Sequence, residues 1–273
     1  MAPSTRILIP IAIAAICCFG MAHYSDNIVY GWVAVGLIIL GAFIYILAPQ
    51  IDWRIHKRNP PQMPATLHRF FENKIDFYQK MHPFIRKKFR ERVMLFAEAT
   101  DYKAQVTDEF PDDLKILIAA SAVRLTMHQE DFLFRKFEHV ILYPHPFPSP
   151  QILDHWHASE IHEEDGVVMF AAEQLMKGFT QPTRYFNISL YEYARVFRLT
   201  YPEKKYPDFD ENVWQEFHQI SRFSKDAIHK WMGLPELDAT AVGIAHYFTF
   251  PKRFQQVLPK QFQQLKAIFQ KES

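Results

Sequence analysis

Hydrophobic positions fall into two regimes along this chain. Residues 7–22, ILIPIAIAAICCFGMA, and 28–48, IVYGWVAVGLIILGAFIYILA, carry no charged side chain. Beyond residue 65 the apolar positions recur at helix or strand spacing instead. A membrane-spanning helix needs about 20 apolar residues. The second run supplies them directly, and the first does so once His23 and Tyr24 sit at the interface. The short SDN turn (25–27) makes the pair a hairpin of helices over about 7–24 and 28–48, within an N-terminal segment 1–58.

Basic residues set the orientation. Arg6 precedes the first run, Arg54, Lys57 and Arg58 follow the second, and the turn has neither Lys nor Arg. Both termini and everything after residue 58 are therefore expected in the cytoplasm, at an inner (cytoplasmic) membrane. Gly20-Met21-Ala22 also fits a cleaved signal peptide. That alternative leaves the main domain on the same side, because the second run keeps its basic flank.

NPPQMP (59–64) reads as a proline-rich linker that stops the second helix, with one domain over 65–273. Phe84, Ile85, Phe89, Val93 and Phe96 predict the apolar face of a helix within 65–100. Arg86, Lys87, Lys88, Arg90 and Arg92 make the other face, either solvated or laid on anionic lipid. DLKILIAASAVRLTM (113–127), apolar nearly all round, predicts a central core helix that Asp112 or Asp113 can cap. HVILY (139–143) and VVMFA (167–171) predict two strands that pair. Further helices are expected over 187–199, 211–232, 236–249 and 259–270. The sum is an α+β fold, a small sheet packed on helices.

Composition adds little but excludes some classes. With 25 Phe, 12 Tyr and only 8 Gly, a thick aromatic core is expected. A net charge of +1 gives no general reason to expect nucleic acid. Cys17 and Cys18 are adjacent inside the first apolar run, so no disulfide framework or cysteine zinc site is available.

The chemistry concentrates in NISLYEYARVFRL (187–199). Histidines at 191 and 195 would complete H-E-x-x-H, in which two histidines four apart on one helical face bind zinc and the glutamate activates a water. ILIAASAVRL (116–125), FEHVILYPHPF (137–147), DGVVMF (165–170) and the LxEYAxxF helix (190–197), in that order, resemble the Mlc titration factor A (MtfA) family. That family is a bacterial group of zinc-dependent peptidases, and the resemblance covers about residues 65–270. It implies a zincin-like, gluzincin-type domain with zinc as cofactor.

The same resemblance shows what has changed. The family's two histidines fall on Tyr191 and Arg195, and its catalytic glutamate on Glu192. Its later glutamate ligand aligns with Ala239, a second glutamate with His246, and a transition-state tyrosine with Met232. Only the base position is retained, as a vestigial catalytic residue, and the others mark a degenerate cleft. A divalent ion about 4 Å from the Arg195 guanidinium would be repelled by roughly 8 kcal/mol at an effective dielectric of 20. Arg195, three residues from Glu192, is instead positioned to pair with it.

DHWHASEIHEED (154–165) offers a second cluster, with His155, His157 and His162 beside Glu163 and Glu164. It reads as a polar connection, as a relocated metal site or as a pH-responsive group.

The expected function is that of a membrane-anchored, zinc-less pseudopeptidase, a regulatory or peptide- and protein-binding module without a cofactor. The alternative is an active zinc metallopeptidase with relocated ligands. The family's founding member sequesters a glucose-responsive repressor, so the resemblance implies a partner such as a transcriptional regulator. The bilayer is the other partner, and direct nucleic-acid binding is not expected.

Overall fold

The computed structural model describes residues 2–25, 27–106, 109–149 and 155–270. The chain divides into two compact units between Pro60 and Pro61.

The first unit is a helical hairpin, α1 (Pro3–Ser25) and α2 (Ile28–His56). Asn27 opens α2, its side chain accepting from the Val29 amide at 3.0 Å. At the far end Asp52 accepts from both the amide (2.7 Å) and the hydroxyl (2.6 Å) of Ser4, which clamps the end of α2 to the start of α1. Ala15 and Ala34 are buried, while Ile16 and Ile46 are exposed. Both helices are long and apolar enough to cross a membrane. They run further than expected: α2 passes Pro49 and stops at His56, because a proline is tolerated in an apolar helix whose neighbour lies close.

In the second unit the helical region 65–100 is three pieces, α3 (Ala65–Lys74), α4 (Asp76–Gln79) and α5 (Pro83–Ala99). Phe89, Val93 and Phe96 are buried as the periodicity predicts, but Phe84, in the first turn of α5, is exposed. The basic face differs from a uniform charged stripe. Arg86 donates to the carbonyls of Met81 (2.8 Å) and Gln79 (2.6 Å), and Arg90 to the Tyr78 hydroxyl. Arg92 donates to Thr126 (2.8 Å) and Met127 (3.1 Å). Three of the five cations thus tie α5 to its neighbours.

After β1 (Asp101–Ala104) comes α6 (Asp112–Thr126), buried from Ile116 to Val123. Pro111 holds the cap position, Asp113 Oδ1 accepts from the Leu114 amide at 2.9 Å, and Asp112 pairs with Lys115 within the first turn. Then follow β2 (His139–Tyr143), β3 (Ser159–His162), β4 (Val167–Ala171) and α7 (Ala172–Thr180). The sheet order is β1-β2-β4-β3, with β1, β2 and β4 parallel and β3 antiparallel along one edge.

Next are α8 (Ile188–Thr200), α9 (Val213–Ser221), α10 (Lys225–Met232), α11 (Ala239–Thr249), α12 (Pro251–Val257) and α13 (Pro259–Phe269). The single helix expected over 211–232 is two. Arg222 turns left-handed (φ 71°) to end α9, and the Ser224 hydroxyl accepts from the Ala227 amide at 3.1 Å to start α10. Prolines at the first position start α12 and α13 separately. The core is aromatic: Phe71, Tyr78 and Phe89 pack edge-on or tilted near α5, and Phe96, Phe134, Tyr193 and Phe197 join α5 to α8. A buried hydroxyl pair, Ser121 and Ser189 at 2.6 Å, links α6 to α8.

Candidate functional site

The site is built on α8. Asn187 caps it, its side-chain oxygen accepting from the Leu190 amide at 3.0 Å and the Ser189 hydroxyl at 2.8 Å. That fixes the rotation of the helix, and Tyr191 and Glu192 point into the protein, both fully enclosed.

Glu192 has both carboxylate oxygens engaged. Arg195 Nη1 donates to Oε2 at 2.9 Å, and the Ser159 hydroxyl on β3 donates to Oε1 at 2.7 Å. Burial pushes the Glu192 carboxyl up, while Arg195 and the Ser159 hydroxyl favour the charged form. In turn the charge of Glu192 holds the Arg195 guanidinium above its ordinary range, against burial. The Arg195 side chain is a third exposed, so one edge of the guanidinium still reaches water.

Tyr191 lies beside this pair, with the Arg195 guanidinium carbon 5.9 Å from its ring centroid. Its hydroxyl accepts from the Asp238 amide at 3.0 Å. Burial raises the phenol further from ionisation, and the neighbouring Glu192 charge acts in the same direction. Asp238 caps α11 through the Ala241 amide (3.0 Å) and pairs with Arg198, one turn beyond Arg195. Ala239, the first residue of α11, is thereby carried past Tyr191 and brings no donor atom of its own side chain.

Met232 is buried at the end of α10, and its carbonyl accepts from the Ala158 amide at 2.7 Å, one residue before Ser159. Gly233 makes this approach feasible: at φ +70° a Cβ there would meet the Trp156 carbonyl oxygen at 2.0 Å. Tyr191, Glu192 and Arg195 are in direct contact with one another, whereas the links described for Met232 and Ala239 run through the backbone, by the Met232 carbonyl to Ala158 and by the chain from Asp238. His246 lies among Phe186, Phe217 and Phe250 with ring centroids 5.2–5.9 Å away, and Phe186 also packs on Tyr191. Burial lowers its imidazole to about 3.

The second histidine cluster does not gather. His157 is buried, with Nε2 2.9 Å from Glu160 Oε2 and Nδ1 3.1 Å from the His155 carbonyl. His162 faces Asp165 at 3.0 Å, and His155 is exposed. His155 and His157 precede β3, which begins at Ser159. Among the described residues no three His, Cys, Asp or Glu side chains form a group able to hold a metal. Asp154 lies outside the described residues.

Sequence reasoning missed Ser159 and two ion pairs, His157–Glu160 and Arg198–Asp238. Ser159 carries no local signal, since its partner is 33 residues away. The His157–Glu160 and Arg198–Asp238 pairs are equally invisible as motifs, although Asp238 ahead of an apolar run is a legible cap.

A mixed sheet with an antiparallel edge strand against a helix that carries a central glutamate defines a zincin-like peptidase domain. A family model described as glucose-regulated metallo-peptidase M90 matches residues 50–270, and the chain belongs to that family. No curated protein matches the chain in sequence.

The family implies a divalent metal, and the residues here do not fit one. A zinc site needs neutral imidazoles, thiolates or carboxylates as ligands. The donor set offers a protonated guanidinium, a phenol hydroxyl already bound to an amide and an alanine, beside a carboxylate with both oxygens hydrogen-bonded.

Proposed function

We propose that this chain is a membrane-anchored member of the M90 peptidase family that has given up metal-dependent hydrolysis and acts by binding. The observation that carries the reading is the state of Glu192. A general base must reach a water, and here Glu192 is wholly enclosed, with Arg195 and Ser159 each donating to one of its oxygens. The guanidinium also supplies a fixed positive charge beside the carboxylate, so no metal is required to balance it. The domain keeps the peptidase scaffold, with β3 covered by α8 and the Ala158 amide bonded to Met232.

Basic residues that flank the outer ends of the hairpin and spare its turn support a location on the cytoplasmic face of the inner membrane, with both termini inside. A protein or peptide partner, of the transcriptional-regulator kind that the founding relative sequesters, fits a role that needs no cleavage.

The test is metal content and proteolysis together. The full chain, purified in dodecyl maltoside and dialysed against micromolar zinc, should hold zinc far below one ion per chain. It should leave an unfolded casein substrate intact. One tightly held zinc per chain, with chelator-sensitive cleavage lost in Glu192→Gln, would overturn the reading.

A further inference from the structure

At the N-terminal end of α8, where Asn187 caps it, a cavity of about 600 Å³ opens between α3, α4, the α7–α8 connection and the end of α11. Its volume lies within the roughly 300–1,000 Å³ usual for small-molecule sites. Arg124 reaches it from the core helix α6, where it is the only charged residue after Lys115.

Arg124 is held in an unusual way for a largely enclosed cation. Its guanidinium carbon lies 4.0 Å from the Phe77 ring centroid and 5.2 Å from that of Phe248, and one amino group donates to the Phe248 carbonyl. No carboxylate pairs with it among the described residues. Burial accordingly lowers its ionisation to about 9, with nearby Tyr247 acting in the opposite sense, so it stays charged at neutral pH. A purely structural role explains the two aromatic rings. It does not explain why Lys74, Lys80 and Arg184 face the same space with only Asp76 against them, leaving a net charge of +3. Asp76 pairs with Lys80 at 3.9 Å with both side chains about four-fifths exposed, which neutralises little.

We infer that this cavity binds a phosphate group carried on a compact apolar body, with Arg124 as its anchor. The planar guanidinium presents parallel donors matched to a phosphate, and its two aromatic neighbours hold that plane fixed. A doubly charged phosphate suits the net charge better than a single carboxylate does. Ile75, Phe179 and Pro251 supply an apolar wall for the remainder of the ligand. The inference is independent of the metal chemistry at Glu192, since Arg124 touches none of that arrangement.

The experiment uses the full chain in dodecyl maltoside, an uncharged detergent, with phenyl phosphate, inorganic phosphate and benzyl alcohol as probes. Calorimetric titration should show phenyl phosphate binding more tightly than inorganic phosphate, in competition with it, and benzyl alcohol not at all. The melting temperature should rise with phenyl phosphate concentration. Micelles doped with phosphatidic acid test a lipid source of the same phosphate, and their displacement of phenyl phosphate would assign the group to a headgroup at this site. Arg124→Met should weaken phenyl phosphate binding by about tenfold or more, as loss of a charge-assisted bond implies. Because that variant perturbs the core, Lys80→Ala/Arg184→Ala on the exposed rim is the second arm, with roughly a threefold loss for each charge removed. No phenyl phosphate binding at millimolar concentration, or binding unchanged in both variants, would overturn the inference.

Discussion

Arg195 Nη1 lies 2.9 Å from Glu192 Oε2, three residues apart on α8, and the two side chains differ in exposure: Glu192 is wholly enclosed and Arg195 is a third exposed. The pair is therefore asymmetric. Arg195 can turn to water if its partner is lost, but Glu192 has nowhere to go. Its other oxygen accepts from the Ser159 hydroxyl, a neutral donor that cannot replace a charge.

Removing the guanidinium should accordingly cost more than removing the carboxylate charge. Arg195→Ala leaves a buried, uncompensated carboxylate, and a loss of about 3 kcal/mol is expected. Glu192→Gln keeps the shape and one acceptor, and a loss of about 1 kcal/mol is expected. The double variant should be more stable than Arg195→Ala alone. Urea unfolding of all four proteins measures this, and equal losses in the two single variants would show that the pair contributes nothing specific.

Replacing the misfit donors should restore metal affinity. Tyr191→His and Arg195→His place two imidazoles four residues apart on one helical face, and Ala239→Glu returns a carboxylate to the start of α11. The triple variant is expected to take up close to one zinc per chain after equilibrium dialysis, while the parent stays near background. Equal uptake by parent and variant would mean that the metal binds elsewhere.

The helix carrying Tyr191, Glu192 and Arg195 was legible because its spacing is local, and so were the core helix α6 and the two strands β2 and β4, which are marked by unbroken apolar runs. What stayed hidden was non-local or short. β1 is four residues of mixed polarity, made a strand by parallel pairing with β2. Ser159 became a partner of Glu192 only because β3 folds against α8. The basic stripe on α5 read as one face, yet Arg86, Arg90 and Arg92 are drawn inward by carbonyls and a phenol that no periodicity can reveal. The break between α9 and α10 depends on Arg222 adopting a left-handed backbone, a conformation that arginine rarely signals in advance.

Gly233 ties the α10 end to the segment leading into β3, and its substitution tests how tightly the site depends on that contact. Gly233→Ala adds a methyl 2.0 Å from a backbone oxygen at a positive φ, so the strand approach must shift. A destabilisation of about 2–4 kcal/mol is expected, as for other strained backbone positions. A melting curve that superimposes on the parent's would show that the loop yields freely.

His246 predicts a pH dependence whose sign can be worked out. Its imidazole is buried among Phe186, Phe217 and Phe250 with Nε2 unpaired, and burial lowers it to about 3 from an ordinary 6.5. The folded pKa is depressed, so the unfolded chain binds the extra proton between these values. Stability tied to His246 is complete above pH 6.5 and falls as the pH drops towards 3, by about 1.4 kcal/mol per pH unit. Glu192 acts with the opposite sign, since a raised carboxyl costs stability as the pH rises, and a comparison between two proteins that both keep Glu192 removes it. Between pH 6.5 and 5 the gap in unfolding free energy between the parent and His246→Phe should therefore move by about 2 kcal/mol in favour of the variant. Urea unfolding at both pH values measures it. Curves for the two proteins that shift in parallel would mean that the imidazole takes its proton without unfolding, through an opening of the aromatic cage that holds it.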